Sequence, residues 1–534
     1  MNKTKFTFGL LGECYAVRHE LGHYRSVCVA ARYWASFSGD SSSVECLWTR
    51  VENSLQATIL SHSGLSYGLV NHEGSSLPVF EQLKSIQKDH VATFLETKTY
   101  ETGQPPERQF QQAIEGAHSD TWVPNRPAWR TIILLHRYPV LPPDQSAKVG
   151  INQTMIYVAF VAHHAIADGL SGLAFHTSLM KNLSTAPGRS QVAVWPIILR
   201  GDLSAPQLVD DTIDFLATRP SHTHKLEDEG EDVWGGSVVY LPSVEDFRSR
   251  IRLITLTHDE MSRVMKTCRD IGVSATNLLH GLICVTLARM LGDIPGVRAV
   301  MPYSLRRFTG ASPREVINHI SYTTTYVPGS TLGMIRDATA HSDTEREPMV
   351  EVAKSFGRDM KTELERFPEG TLGENSGALE ISAPIAEISS VTLEKLIFTQ
   401  SGMVAGPAIG FNCMSVQAQR SLIEALMWVP TAYRTSGAED IRRERHTASI
   451  DDRQIDVNSD LRDHSFLGEM AQHVEFGLFQ MGGATLHAPV SDPNTTPNIS
   501  ESAIIARATS VEEILEVLKG DVYVRAKVWD FEKI

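Results

Sequence analysis

Residues Met155 to Leu183 read MIYVAFVAHHAIADGLSGLAFHTSLMKNL. Met155 to Ala162 is an apolar run rich in β-branched and aromatic residues, Ile156, Tyr157, Val158, Phe160 and Val161 among them. Such a run suits a strand buried on both faces. It stops at two histidines, His163 and His164. From Gly169 onward the apolar positions Leu170, Leu173, Leu179 and Leu183 fall on one side of a helical pattern. The histidines therefore sit in a strand-to-helix turn, where a rigid scaffold holds side chains at a cleft.

The spacing His163-His164-Ala165-Ile166-Ala167-Asp168-Gly169 has chemical content. A histidine that titrates near neutrality takes a proton from a hydroxyl or amine as that group attacks a carbonyl. The aspartate fixes the turn if it pairs with an arginine. The glycine removes a side chain where substrate must approach the imidazole. The alternative is two core histidines preceding an Asp-Gly turn. Placement at a strand end, before an apolar helix, favours the catalytic reading.

The segment resembles the HHxxxDG signature of the acyltransferase superfamily that includes chloramphenicol acetyltransferases, plant BAHD acyltransferases and nonribosomal peptide condensation domains. The nearest likeness is to the fungal alcohol O-acetyltransferases. Other stretches carry it too. Pro127-Ala128-Trp129-Arg130 resembles the start of a core strand in those enzymes. Cys268 to Leu291 resembles the helix pair that opens their second half. Met301-Pro302-Tyr303-Ser304-Leu305-Arg306-Arg307 resembles a strand end whose arginine pairs with the motif aspartate. The resemblance assigns that role to Arg306, with Arg307 as the other choice, and implies an Arg306–Asp168 ion pair. Ile317-Asn318-His319 resembles the turn that follows, without its glycine. Glu387-Ile388-Ser389-Ser390 and Phe398-Thr399-Gln400-Ser401 resemble a further region, where a hydroxyl residue helps hold the tetrahedral oxyanion; Ser389 is the candidate. The plant DFGWG motif is absent.

The resemblance implies an α/β fold of two chloramphenicol-acetyltransferase-like lobes, mixed sheets flanked by helices, with an active-site tunnel between them. Residues 1–220 form the first lobe with the motif, 221–250 a crossover linker, and 251–534 the second lobe, with a loop insertion near 436–463 and an unassigned tail. It also implies that His164 is the catalytic base, with His163, Asp168, Gly169 and Arg306 supporting the motif. Acetyl-CoA is then the co-substrate, with no metal, and a small, hydrophobic alcohol is the acceptor. Two other readings stand beside it. One is a condensation-type catalyst that takes acyl groups from a carrier protein or forms amides. The other is a non-catalytic binding protein on the same fold.

Bulk properties agree with a globular protein. The chain has 534 residues, 42% hydrophobic and 21% charged, enough for two domains or one two-lobed unit. A net charge of −14 argues against nucleic acid and anionic membranes as main partners. Six scattered cysteines form no CxxC pair and read as buried, reduced thiols. No apolar run approaches the roughly 20 residues of a membrane span, and the N-terminal run is too short for a signal peptide. The expectation is a cytoplasmic monomer.

Two further motifs occur. His19-Glu20-Leu21-Gly22-His23 has the HExxH form of zinc proteases. A strand pattern follows at once from Tyr24, so the helix would end at the motif, and Ser26 and Val29 stand where an extended motif needs glycine and histidine. Glu45 or Glu52 would have to supply a third ligand. Gly64-Leu65-Ser66-Tyr67-Gly68 matches GxSxG, but no helical pattern follows it, as a nucleophile elbow requires. Both are read as structural.

Periodicity predicts the remaining elements. Strands are expected at Tyr24–Trp34, Tyr67–Asn71, Trp129–Arg137, Ile251–Leu256, Val297–Tyr303, Ile317–Val327, Leu393–Thr399, Ala408–Val416 and Ser421–Val429. Helices are expected at Val44–Ser61, Gln207–Thr218, His258–Ile271, Ser274–Leu291, most of Leu332–Phe367, Ser465–Met481 and Ser510–Lys519. Thr102–Glu107 and Ala488–Glu501 read as loop and linker.

Overall fold

The computed structural model describes residues 5–6, 9–38, 44–70, 79–97, 105–137, 151–185, 193–199, 206–209, 233–234, 244–291, 294–365, 391–404, 407, 409–416, 421–428, 479–486 and 499–506. The chain divides into two compact units, Met1–Val457 and Asn458–Ile534. The boundary falls inside the second lobe expected from the sequence.

In the first half of the larger unit the order is β1 (Lys5–Phe6), α1 (Gly9–Glu20), β2 (Val27–Ser38), α2 (Val44–Ser61), β3 (Tyr67–Val70), β4 (Val79–Gln82), β5 (Ser85–Ile86), α3 (Lys88–Val91), β6 (Ala92–Glu96), α4 (Pro106–Ser119), β7 (Trp129–Arg137), β8 (Ile151–Ala162), α5 (Gly169–Thr185) and β9 (Ile197–Ile198). The second half continues with β10 (Arg250–Leu256), α6 (His258–Ile271), α7 (Ala275–Met290), β11 (Gly296–Ser304), α8 (Arg306–Thr309), β12 (Ile320–Pro328), α9 (Gly329–Asp337), α10 (Asp343–Glu365), β13 (Val391–Gln400), β14 (Gly410–Val416) and β15 (Ser421–Trp428).

The central sheet has five strands in the order β13-β2-β8-β7-β6. All neighbours are antiparallel except β6 and β7. β8 is its middle strand, and its side chains alternate between two cores. Ile156, Val158, Phe160 and Ala162 join the core under α2 and α5. Met155, Tyr157, Ala159 and Val161 join the core that includes Phe110 and Ile114 of α4. This is the strand buried on both faces that the apolar run predicts. Each fully buried large side chain of this kind contributes about 1.5–3 kcal/mol.

α5 lies close on the sheet because Gly172 carries no side chain. A Cβ there would come within 2.3 Å of Val29 on β2.

β13 is chain-distant from its neighbours, yet it completes this sheet. It pairs with β2 from Val391↔Ala35 to Gln400↔Val27. Its sequence predicts a strand but not the sheet it joins, so the second half reaches across and closes the first. Ile251 at the start of β10 adds a second tie. Its N–H donates to Glu115 Oε1 at 3.0 Å and its carbonyl accepts from Gln111 Nε2 at 2.6 Å.

Elsewhere in the second half, β10-β15-β14 form one antiparallel sheet and β11-β12 a two-stranded one. The corner between α6 and α7 is encoded locally. Thr257 and Glu260 form a capping box at the start of α6, Gly272 ends it at φ 72°, and Ser274 caps α7. No single helix among the described residues is long and apolar enough to cross a membrane. The second unit shows one antiparallel pair, β16 (Phe479–Leu486) with β17 (Ile499–Ala506).

Some expectations need correction. Pro106 and Glu107 open helix α4 instead of ending a loop. Its core-facing apolar residues are few, Phe110, Ala113, Ile114 and Ala117, so the polar composition hides the period. The strand expected from Ile317 starts at Ile320, because the backbone of Ile317 is held by side chains of the motif. Phe479–Met481 are strand, not the end of a helix, and Ile499–Glu501 are strand, not linker. Residues 206–208 are irregular. Residues 210–218, 436–463 and 510–519 lie outside the described residues.

Candidate active site

The turn after β8 is tied on three sides. His163 N–H donates to Ala128 O at 2.9 Å, which fixes the end of β8 to the start of β7. Ile166 N–H donates to His163 O at 3.0 Å and closes the turn. Asn318, from the second half, donates its side-chain N–H to the carbonyl of His164.

Adjacent strand positions point to opposite sides, and the two histidines have different surroundings. His163 is buried, near the rings of His19 and Trp122 at 4.9 and 6.2 Å between centroids. Its Nδ1 accepts from the N–H of Ala165 at 3.0 Å. Its proton therefore resides on Nε2. His164 stacks on Tyr15 of α1 at 4.1 Å and 24°, with Tyr24 tilted 5.7 Å away. His164 Nδ1 lies 2.8 Å from Ala167 O. A carbonyl only accepts, so Nδ1 carries the proton and Nε2 keeps its lone pair.

Burial pushes the His164 pKa down to about 4, and the charge of Arg18 pushes the same way; Asp168 and the Ala167 carbonyl oppose the shift. Burial, with His19 and His164 nearby, holds His163 well below the ordinary histidine value. Both rings are neutral at physiological pH.

The Asp168 carboxylate is hydrogen-bonded to Arg306, Ser171 and His319. Its Oδ1 accepts from Arg306 Nη2 at 2.8 Å, from Ser171 N–H at 2.8 Å and lies 2.9 Å from Ser171 Oγ. Its Oδ2 accepts from His319 N–H at 3.1 Å. Burial alone would raise its pKa. The Arg306 guanidinium and the backbone N–H groups of His319 and Ser171 outweigh that and hold it below the usual carboxylate range. Arg306 is 4% exposed. It also donates to the carbonyls of Ser312, Glu315 and Ile317 at 2.7 to 2.9 Å. Arg306 thus holds the 312–317 loop while it neutralises Asp168. Arg307 lies against the Phe308 ring, 4.4 Å from its centroid.

The structure thus gathers His163, His164, Asp168, Gly169 and Arg306 in one place. Ser389 lies outside the described residues. The space beside Gly169 is not open. A Cβ there would meet the Phe398 ring at 3.3 Å, so this glycine makes room for the strand that crosses from the second half. Three contributors escape sequence reasoning: Tyr15 and Tyr24, whose rings lie against His164 and each other, and Asn318, which holds its carbonyl. The tyrosines carry no local signal, since only the fold brings α1 to the motif. A small cavity of about 20 Å³ lies behind the turn, lined by Leu11, Gly64, Ala165, Ile166, Ile317 and Asn318 among others. It has room for about one water.

Both rejected motifs have structural roles. α1 ends at Glu20, so His23 lies beyond the helix, and His19 Nε2 accepts from the N–H of Trp122 at 3.3 Å. Gly64 to Ser66 form a short 3₁₀ turn that runs directly into β3. A Cβ on Gly64 would come within 2.1 Å of Val316 O. This glycine therefore lets the first half touch the loop that carries Ile317 and Asn318.

Comparison with known proteins finds likeness to the same family that the motif resembles. Residues 88–211 match the sequence model of the alcohol acetyltransferase family. A probable alcohol acetyltransferase of Aspergillus fumigatus is 22% identical over 58% of this chain and 65% of its own length. The chain thus spans less than two thirds of that relative. A second probable alcohol acetyltransferase, from Fusarium pseudograminearum, is 23% identical over 80% of this chain and 91% of its own. Among solved structures, the trichothecene 15-O-acetyltransferase of Fusarium sporotrichioides superposes with a TM-score of 0.52 at 12% identity, covering 79% of this chain and 89% of that one. The first condensation domain of the calcium-dependent antibiotic synthetase gives 0.51 at 11% identity, covering 81% and 93%. The fold is that of the acetyltransferases and condensation domains.

Proposed function

We propose that this chain, related to the alcohol acetyltransferases, is an acyl-CoA-dependent O-acyltransferase that moves an acetyl group from acetyl-CoA to the hydroxyl of a small, hydrophobic alcohol. The observation that carries this reading is the His164 tautomer. Ala167 O holds the proton on Nδ1, and Nε2 remains a neutral base.

In the reaction, His164 Nε2 takes the hydroxyl proton as the alcohol oxygen attacks the thioester carbonyl. The carbon–oxygen bond forms and the carbonyl becomes a tetrahedral oxyanion. Collapse breaks the carbon–sulfur bond, and protonated His164 returns its proton to the departing thiolate. Ester and free thiol leave. General base action of this kind contributes roughly 10²–10⁴ in rate. Asp168 neither gives nor takes a proton. With Arg306 it sets the turn so that the imidazole faces the reacting atoms. His163 packs and orients. The oxyanion donor is Ser389 or a backbone N–H, and no step needs a metal.

The test is thiol release from acetyl-CoA with a panel of hydrophobic alcohols, beside His164→Ala. Ester formed by the wild type and absent in the variant supports the reading. Turnover only from an acyl carrier protein would favour condensation-type chemistry.

A further inference from the structure

Tyr15 lies nearly flat on the imidazole of His164, at 4.1 Å between centroids and 24° between planes. Tyr15 itself is half-buried, but the helix that delivers it is fixed in place. Gly12, Ala16 and Val17 of α1 are buried, and Ala16 belongs to the core under α2 and α5. Leu11 and Gly12 line the small cavity together with Ala165 and Ile166 of the motif turn. Leu11 and Tyr15 are four residues apart, so one face of α1 runs along that turn. Tyr24 completes the group. Its ring lies 5.7 Å from both Tyr15 and His164, tilted by 50° and 35°. Its hydroxyl donates to Gln400 Oε1 on β13 at 2.9 Å, and Gln400 Nε2 donates to Asn412 Oδ1 on β14 at 3.3 Å. Strands of the second half thus hold the ring that packs against Tyr15.

A stack can be packing alone, as His280 on Phe356 shows at 4.3 Å. At His164 it combines with an Nδ1 proton fixed by Ala167 O, and the combination has consequences for a base. The stack covers one face of the imidazole and leaves the Nε2 lone pair free, because that lone pair lies in the ring plane. It also blocks rotation about the Cβ–Cγ bond, which would carry Nδ1 away from Ala167 O. The hydrogen bond by itself leaves that rotation open; hydrogen bond and stack together close it. When Nε2 takes a proton, the new charge lies against the π-electrons of Tyr15, an attraction that the neutral imidazole lacks. That attraction arises only once proton transfer has begun, so it acts on kcat and not on substrate binding.

We propose that Tyr15 is a positioning residue for the His164 base. Its ring face, and not its hydroxyl, fixes the imidazole with the proton on Nδ1 and stabilises the imidazolium formed during transfer. This rests on the acyltransferase reading of His164.

The experiment compares the full chain with Tyr15→Phe, which keeps the ring, and Tyr15→Leu, which removes it. One readout is steady-state thiol release from acetyl-CoA with the hydrophobic alcohols. The other is nitrogen NMR of protein labelled at its histidine nitrogens, which reports the ring nitrogen that carries the proton. The His164 signals are identified by their absence in His164→Ala. Tyr15→Phe is expected to keep kcat within a few fold and to retain the Nδ1–H form. Tyr15→Leu is expected to lower kcat by roughly ten- to a hundredfold, with KM within a few fold, and to show a mixture of Nδ1–H and Nε2–H forms. If Tyr15→Leu does not fold, Tyr15→Met takes its place, since its flexible side chain fills the space without a ring face. A loss in Tyr15→Phe as large as in Tyr15→Leu overturns the proposal, because the hydroxyl is then the acting group. So does a loss expressed in KM alone, a kcat within a few fold in Tyr15→Leu, or the Nδ1–H form alone in that variant. A wild type that releases no thiol with any alcohol sinks the acyltransferase reading instead. The tautomer then decides for Tyr15: mixed forms in Tyr15→Leu beside a single form in Tyr15→Phe support the proposal, and a single form in both overturns it.

Discussion

Arg306, from the second half of the chain, donates to Asp168 of the first at 2.8 Å, with both side chains almost wholly buried. The pair couples the turn after β8 to the loop that carries Ile317 and Asn318. Breaking a buried pair by removing one partner typically costs about 3–5 kcal/mol. Arg306→Met is therefore expected to lose stability of that order in denaturant unfolding of the full chain. Asp168→Asn should lose less stability, with a fall in kcat larger than any change in KM. The double variant should regain part of the loss, because neither charge is then stranded.

The pH dependence follows from the buried histidines. His164 is held near about 4, so the neutral base persists well below the ordinary histidine value of about 6.5. The acid limb of kcat/KM is expected near pH 4 to 5, and a limb near the ordinary value would contradict the described burial. Stability behaves differently. His118, His164, His176 and His280 are pushed by burial to about 3, 4, 4 and 4. The unfolded chain then binds protons that the folded chain does not. These groups leave stability intact above about pH 6.5 and erode it as pH falls toward 4. Asp168 adds its own loss lower still, because its depressed folded pKa stabilises only above its unfolded value of about 3.9. Equilibrium unfolding at stepped pH reads both windows.

The GxSxG string offers a separate check. Ser66 is buried in the turn before β3 and its carbonyl accepts from Leu83 N–H at 2.9 Å. Ser66→Ala is expected to leave turnover within a few fold. Gly64→Ala forces a Cβ against the backbone oxygen of Val316. Overpacking of this kind costs about 1–3 kcal/mol or more, and here it also disturbs Ile317 and Asn318. A Ser66→Ala variant that lost all turnover while remaining folded would reinstate the serine as a nucleophile.

His163 should be separable from its neighbour. His163→Asn, which retains an acceptor for Ala165 N–H, is expected to lower stability and to reduce kcat by less than tenfold. Complete loss of turnover in a folded His163→Asn protein would mean that the base had been assigned to the wrong histidine.

Local patterns in the sequence account for much of this structure. The β8 alternation, the start of α5 at Gly169, helix α2 and the α6–α7 corner are all legible because period, cap and glycine coincide within a few residues. The Arg306–Asp168 pair was legible only through the resemblance, since 138 residues separate the partners. What stayed hidden depends on contacts across the chain. Nothing in Val391–Gln400 says that it pairs with β2, nothing in Tyr15 that it stacks on His164, and nothing in Gly169 that Phe398 fills the space beside it. α4 is hard to read for a different reason: its core-facing apolar side chains, Phe110, Ala113, Ile114 and Ala117, are few and mostly small, and its glutamines mask the period.

The measurement that bears most directly on the account is thiol release from acetyl-CoA by the purified full chain with hydrophobic alcohols, run beside His164→Ala. Ester formation by the wild type, reduced by roughly 10²–10⁴ in a folded His164→Ala protein, is the expected result. Equal turnover in wild type and variant would contradict the assignment of His164 as the base.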